Sequence, residues 1–508
     1  MPAQHIITPE EIARRCHAAD PALGRRWQVV INMAEAVHRE HGVAYLVGGA
    51  VRDLLLGHVP EDFDIEVHDL SAEAVETIVQ RYGQTSSVGR SYGVLKLHCE
   101  GRDIDIALPR HDTRVGAGHK DFSVGIDPHM GIATAAERRD FTIGAIYLEI
   151  LTGKSHDPFG GIIDLQNKIL RVVHPKKFIE DPLRLLRALQ LAARFELTAE
   201  PATMLILREL VPDMGALSRE RIHGEWLKML QAAHVSLGLQ LGRSVGYFEA
   251  WHPELSALWN TPQPPRTHPE GSVWDHSLLV VDEIHAIAKR FDVTPERYPL
   301  VVLAGLLHDI GKAVTTRHTA SGFDAPQHAQ AGIEPARVVM SRLGFQEREI
   351  RVVVALVAYH QHPHRLYELT HHSQPPSAGQ FRRLQRDLGP ASLSELLVLA
   401  VANTLGRGPF TQSDGLVAMP VVDPAENWWR KKIDEEKLNE PLEPILTGRD
   451  LVERDWPTGP MIGEAVHLAD RLGLHGFSRA EVLHILDTVK TPSEIVASLR
   501  DLVHAEGA

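Results

Sequence analysis

The chain has 508 residues, with 53 Lys+Arg against 66 Asp+Glu and a formal net charge of −13. A hydrophobic content of 44% and a charged content of 23% are ordinary for a globular protein, which excludes a fibre, a mostly disordered chain and a membrane protein. The acidic balance argues weakly against a general nucleic-acid coat. The length suits about three or four domains. Apolar stretches such as Leu300–Leu307 are too short to span a bilayer. The N-terminus, MPAQHIITPEEIARRC, lacks the apolar core of an export signal. Cys16 and Cys99 cannot build a disulfide framework. These features predict a cytoplasmic protein with no membrane association, and no obligate protein partner is evident.

Residues 1–42 read as a helical lead-in. Over 43–165, short apolar runs alternate with Gly and Asp (AYLVGG, FDIEVHD, VLKLHCE, DIDIALP, AIYLEIL), predicting a small sheet with a few helices. Residues 166–259 turn to helical periods, as in PLRLLRALQLAARF. The proline-rich NTPQPPRTHPEG predicts a linker over 260–271. Helices return over 272–410, and 411–508 is a looser stretch followed by a helical end. Twelve of the 30 histidines fall between His252 and His372, a bias that points to a metal or acid–base site.

The segment YLVGGAVRDLLLGHVPEDFDIEV carries the first chemistry. Val47 ends a strand, Gly48 and Gly49 allow a tight turn with exposed N–H groups, and a helix follows at once. Such a turn is an anion site suited to a triphosphate, with Arg52 as an added donor. Asp62 and Asp64, two apart on a strand, point to one face. Paired carboxylates call for a cation, and beside a triphosphate Mg²⁺ is the natural one. Asp105 in RDIDIALP is a candidate third carboxylate. Alone, D-x-D also fits a solvated strand end.

LVGGAVRDLLLG…DFDIEV resembles the head motif of class II CCA tRNA nucleotidyltransferases and poly(A) polymerases. RRDFTIGA (138–145) resembles their ribose-recognition motif, DPFGG (157–161) with Asp164 the motif after it, and EDPLRLLR (180–187) their nucleotide-selecting helix. Ile445–Leu451 and Gly459–Gly463 resemble the C-terminal part of long members. The resemblance implies an α+β chain: a polymerase-β-like nucleotidyltransferase head over 43–165, then all-helical neck, HD and C-terminal domains. It implies Mg²⁺ at Asp62 and Asp64, and sugar contacts from Arg139 and Asp140. Gly144 stands where the family has Asn. The loop PRHDTRVGAGHKDF matches a flexible basic loop that the family links with addition of the terminal A.

Asp181 and Arg184 form an i,i+3 pair suited to base selection. Cytosine and adenine each place an amino donor beside a ring-nitrogen acceptor. A carboxylate and a guanidinium match that pattern, and uracil and guanine reverse it. A helix cap with a surface ion pair is the plainer alternative. Residues 166–230 hold 11 Lys+Arg and 8 Asp+Glu, a local +3. Arg187 is a further nucleotide-binding candidate, and Lys176, Lys177 and Arg194 could track RNA phosphates.

His308-Asp309 in LLHDIGK, with His276 upstream and His328, His360 and His362 downstream, resembles an HD phosphohydrolase domain. That implies a divalent metal at His276, His308 and Asp309. The late Asp of the motif is replaced by Asn403, a neutral and poorer ligand. The expected function is template-independent addition of C, C and A to tRNA 3′ ends from CTP and ATP. A poly(A) or A-adding polymerase, a metal phosphohydrolase with a nucleotide-binding head, and a non-catalytic RNA-binding protein are the alternatives.

Overall fold

The computed structural model describes residues 6–87, 94–114, 122–320, 322–371, 375–411, 417–435, 438, 444–474, 477–488 and 491–506. The chain divides into two compact units, Met1–Ala250 and Trp251–Ala508.

The first unit opens with helices α1 (Pro9–Ala19) and α2 (Pro21–Arg39). Thr8 and Asp20 cap them through Glu11 N and Ala22 N, and a proline fills the first position of each. Next come β1 (Val43–Val47), α3 (Gly49–Leu55), β2 (Asp64–His68) and α4 (Ala72–Val79). Strands β3 (Gln84–Ser87), β4 (Val94–Cys99) and β5 (Arg102–Ala107), the hairpin β6 (Arg110–Arg114) and β7 (Phe122–Ile126), and helix α5 (Ile132–Ala136) follow. A 3₁₀ turn at Thr142–Gly144 leads to β8 (Tyr147–Glu149) and β9 (Ser155–His156). The main sheet has the order β3-β4-β5-β2-β1-β8-β9. Within this sheet, among the described residues, β2 and β5 are the parallel pair, which sets Asp64 beside Asp105. The antiparallel β1–β2 register sets Val47 opposite Asp64.

The predicted lead-in is part of this head. Ile12, Cys16, Trp27, Val30 and Met33 share one buried core with Leu46, Ile65, Val67, Ile104 and Ile106. The α1–α2 pair therefore covers a face of the sheet.

Helices α6 (Gly161–Gln166), α7 (Pro175–Phe178), α8 (Leu183–Phe195), α9 (Pro201–Leu210), α10 (Arg219–Leu230) and α11 (Val235–Val245) complete the unit. Leu185, Leu186, Leu189 and Ala193 put one stripe of α8 in the core, leaving its polar face to the site. DPFGG is explained by packing. Asp157 Oδ1 and Oδ2 accept from Gly161 N (2.7 Å) and Ile162 N (2.9 Å), capping α6. A Cβ on Gly161 would stand 2.0 Å from Thr142 O, so only glycine lets α6 meet the 3₁₀ turn. Asp164, on α6, accepts from Thr142 Oγ1 at 2.7 Å and from Arg171 Nε at 2.9 Å, pinning that turn.

In the second unit, the long helices Val273–Ala288, Tyr298–Leu307, Glu347–Tyr359 and Leu393–Leu405 build a buried core. Tyr298–Leu307 is buried from Pro299 onward, as its unbroken apolar run requires. A separate core gathers Leu446, Leu451, Leu468, Leu472 and Leu499. The segment 260–271, expected as a linker, lies within the second unit. The boundary between units falls at 250/251, and Thr261, Gln263, His268 and Glu270 are buried in the second unit. Prolines limit the conformations of the segment without keeping it out of a core. Among the described residues no single helix is long and apolar enough to cross a membrane. One pair, Gly379–Leu388 with Leu393–Leu405, passes that test only jointly, and it bends by 94°.

Candidate active site

A cavity of about 350 Å³ opens in the first unit where β1 gives way to α3. Its walls bring together nine of the predicted residues: Gly48, Gly49, Arg52, Asp64, Arg139, Asp140, Asp181, Arg184 and Arg187. Gly48 has φ +70°, a conformation glycine adopts without cost, and this sharp turn starts α3. A Cβ there would lie 3.5 Å from Asp64 Oδ2 and 3.6 Å from an Arg139 guanidinium nitrogen, so turn, carboxylate and arginine are close neighbours. Arg52 is buried, with its guanidinium 4.1 Å from the Phe195 ring centre and its Nε 3.0 Å from Asp53 Oδ1.

Asp64 opens β2, Asp105 lies beside it, and Asp62 stands just before the strand rather than within it. Asp62 is more open than Asp105, and lies 3.7 Å from Arg102 and 3.8 Å from Arg26. Lys96 Nζ donates to Asp105 Oδ1 at 3.0 Å. Desolvation pushes the Asp64 carboxyl up; Arg139 opposes this and the neighbouring Asp105 and Asp62 add to it. Mutually repelling carboxylates with hard oxygen donors fit a divalent ion. Their oxygens are more spread than those of the second unit, where every group of three ligands within 4.8 Å among the described residues lies.

Glu66, two residues beyond Asp64, is a site residue that the sequence reading missed. It is fully buried and accepts from Arg138 (2.5 Å), Tyr147 Oη (3.0 Å) and His68 Nε2 (3.1 Å), with Arg139 at 3.6 Å. Burial opposes its charge, but His68 and the two arginines hold its carboxyl down at about 2. The Nε groups of Arg138 and Arg139 are buried without a hydrogen-bond partner. The signal was present: Asp64 and Glu66 are i and i+2 on one strand.

Asp140 accepts from Arg187 Nε at 2.5 Å and from Phe141 N at 2.8 Å. Burial opposes its ionised form, but Arg187 and Arg184 keep it charged below the usual carboxylate range. Asp181 precedes α8 and makes the cap contact, Leu183 N to Oδ1 at 3.1 Å. Its Oδ2 accepts from Arg221 at 2.7 Å. Arg221, on α10, was missed, since nothing local links residues 40 positions apart. Arg184 donates to Lys177 O (2.8 Å) and Arg138 O (2.9 Å), fixing its plane with donors to spare. A Cβ on Gly144 would lie at an ordinary 3.5 Å from Asp140 Oδ1, so the backbone there tolerates a Cβ.

Of the predicted RNA contacts, Lys176 and Arg194 are exposed, whereas Lys177 pairs with Glu137 at 2.8 Å. The basic loop is described only at its hairpin strands β6 and β7; residues 115–121 lie outside the described residues.

The second unit gathers the predicted His276, His308 and Asp309, all buried, with ligand atoms mutually within 4.8 Å. His328 and His360 form a second such group with Asp309, at 3.1 and 3.7 Å from its Oδ1. His362 joins neither group and lies against Tyr359. Asn403 stands at the expected position, with Oδ1 2.9 Å from His276 Nε2. His308, His328 and His360 each direct Nδ1 to a backbone carbonyl, Gly305 (2.8 Å), Ala325 (2.7 Å) and Val357 (2.7 Å). That leaves their Nε2 lone pairs for the centre. Burial lowers His308, and burial with His308 beside it takes His360 down to about 3, so both stay neutral. Burial would raise Asp309, but the Lys312 ammonium, 2.6 Å from its Oδ2, holds it well below the usual range. His308 Nε2 and Asp309 Oδ1 are buried with no hydrogen bond, although His308 Nε2 lies 3.2 Å from Asp309 Oδ2. Neutral imidazoles, an ionised carboxylate and orphaned donor atoms fit a divalent metal. A cavity of about 290 Å³ lies alongside, with Gln263, His268, Lys312, His328 and Gln361 in its wall.

Three family models match the chain. Residues 44–171 match the poly A polymerase head domain, 196–258 a probable RNA and SrmB-binding site of polymerase A, and 273–405 the HD domain. The Stenotrophomonas maltophilia (strain R551-3) multifunctional CCA protein is 33% identical, over 73% of this chain and 87% of its own. That of Pasteurella multocida is 32% identical, over 73% and 85%. The Thermotoga maritima CCA-adding enzyme complexed with tRNA shares the fold at TM-score 0.56 and 18% identity, over 98% of this chain and 100% of that one. The Bacillus stearothermophilus CCA-adding enzyme in complex with CTP does so at TM-score 0.55 and 20% identity, over 95% and 99%. The chain belongs to the family of the multifunctional CCA proteins, which are tRNA nucleotidyltransferases.

Proposed function

We propose that the chain adds C, C and A to tRNA 3′ ends from CTP and ATP without a nucleic-acid template, as a cytoplasmic enzyme. The observation that carries this is the single cavity in which Asp181 and Arg184 face the Gly48-Gly49 turn and Asp64. Base-reading and triphosphate-holding groups thus belong to one rigid protein wall. Asp181 has acceptor capacity beyond its two hydrogen bonds, and Arg184 uses two of its guanidinium nitrogens on carbonyls. Both can therefore present a fixed acceptor–donor pair to cytosine or adenine. The turn and Arg52 seat the triphosphate, Arg139 and Asp140 hold the sugar, and Arg187 keeps Asp140 ionised. Lys176, Lys177 and Arg194 track the RNA. Two Mg²⁺ ions held by Asp62, Asp64 and Asp105 would neutralise charge and activate the attacking oxygen. The RNA 3′-oxygen bonds to the α-phosphorus as the bond to pyrophosphate breaks.

Three tRNA transcripts, ending before C, after C and after CC, offered with each labelled nucleotide, test this. Ordered C, C, A and then a stop is expected, with Asp62→Ala abolishing incorporation and leaving tRNA binding within a fewfold. Long A tails, or near-normal turnover in Asp62→Ala, would overturn it. A second reading rests on the buried His276–His308–Asp309 centre and the adjoining cavity. The second unit is then also a metal-dependent phosphohydrolase, in which a bound divalent ion would polarise a phosphoryl oxygen.

A further inference from the structure

His308, His328 and His360 turn Nδ1 to a backbone carbonyl, whereas His276 turns Nδ1 to a carboxylate as well. Its Nδ1 lies 2.9 Å from Glu270 Oε1 and 3.2 Å from Gly406 O. Both neighbours only accept when the carboxyl is ionised, so Nδ1 carries a proton, and Nε2, 2.9 Å from Asn403 Oδ1, is the nitrogen left facing the centre. Glu270 is itself fully engaged. Its Oε1 also accepts from His268 Nδ1 at 2.8 Å, and its Oε2 from Gly408 N at 3.0 Å. Only 3% of its side chain is exposed. It arrives on the segment whose prolines suggested a linker. The opposite side of His276 meets Asn403, a neutral amide where a carboxylate ligand is expected.

We propose that Glu270 is a positioning residue for the metal centre. It fixes the ligating tautomer of His276 and supplies, through that imidazole, the negative charge that Asn403 does not. A carboxylate behind a ligating imidazole raises its basicity more than a carbonyl does. The inference rests on the reading of His276, His308 and Asp309 as a divalent-metal site.

The test is Mn²⁺ binding by calorimetry to the full chain carrying Asp64→Ala, which removes a head carboxylate and its competing ion. The centre should bind Mn²⁺, and Asp309→Ala should abolish that binding. If Asp309→Ala changes nothing, the metal-site reading fails and the role of Glu270 falls with it. If Asp309→Ala abolishes binding but Glu270→Gln does not weaken it, the role of Glu270 alone is overturned. The expected result for Glu270→Gln is a loss of about 10- to 100-fold in affinity. Asn403→Asp should then rescue the Glu270→Gln protein by a larger factor than it improves the parent, the non-additivity expected of two groups sharing one task. Equal factors would reject compensation. Should Glu270→Gln fail to fold, Glu270→Asp keeps the charge at shorter reach and should weaken binding at least threefold; unchanged affinity would overturn the proposal.

Discussion

Replacing Glu66 by Gln removes the one anion that Arg138, Arg139, Tyr147 and His68 share in the buried floor of the head. A carboxyl held at about 2 instead of 4.5 favours the native state by about 3 kcal/mol at neutral pH. Leaving an arginine buried without its partner independently costs about 3–5 kcal/mol, so the two routes agree. Because the native value is depressed, this stabilisation is fully present above pH 4.5 and drains away as pH falls toward 2. Hydrogen exchange with mass spectrometry in low urea reads each unit separately. Peptides from β1 and β2 of Glu66→Gln should open about 3 kcal/mol more easily at pH 7, and the gap from the parent should narrow as acid approaches pH 3. Peptides from Val273–Ala288 should not change. A difference below about 1 kcal/mol at pH 7, or one that is flat with pH, would refute the charge assignment.

Arg187→Ala removes the guanidinium that keeps Asp140 ionised. The acid limb of the incorporation profile should move to higher pH, and kcat/KM should fall by about 100-fold, the scale of a misplaced binding group. Gly161→Ala drives a Cβ to 2.0 Å from Thr142 O and should cost the head about 3 kcal/mol, read as a lower urea midpoint.

Much of the head site is legible in the sequence because it is local. Gly48, Gly49, Asp62 and Asp64 fall within one strand–turn–helix–strand passage, and their spacing alone aligns turn and carboxylates. Asp105 is legible by strand alternation, and its parallel pairing with Asp64 follows from the order of the sheet. Glu66 obeyed the same two-residue period, but a buried acid inside an apolar strand looks like a core position until its arginines are seen. Arg221 and Glu270 had no local signature. Their roles arise when α10 meets the start of α8, and when a proline-rich segment folds against His276. The prolines at 262, 264, 265 and 269 mark irregular backbone, and irregular backbone can still be buried when its polar groups find partners.

The net charge of the chain differs in sign from the charge at the scale of the cavity. Within a chain of net −13, its wall carries six arginines (52, 138, 139, 184, 187 and 221) and three aspartates (64, 140 and 181). The acids pin rather than cancel the cations: Asp140 holds Arg187, Asp181 holds Arg221, and Glu66 behind the wall holds Arg138. An arginine already held in place loses little freedom when an anion binds, and its field needs no rearrangement as charge develops on a transferring phosphoryl group. Acids paired with the cations of its wall are thus how an acidic protein can build a locally positive cavity. The same logic with the signs exchanged, Glu270 behind His276, prepares a cation site in the second unit.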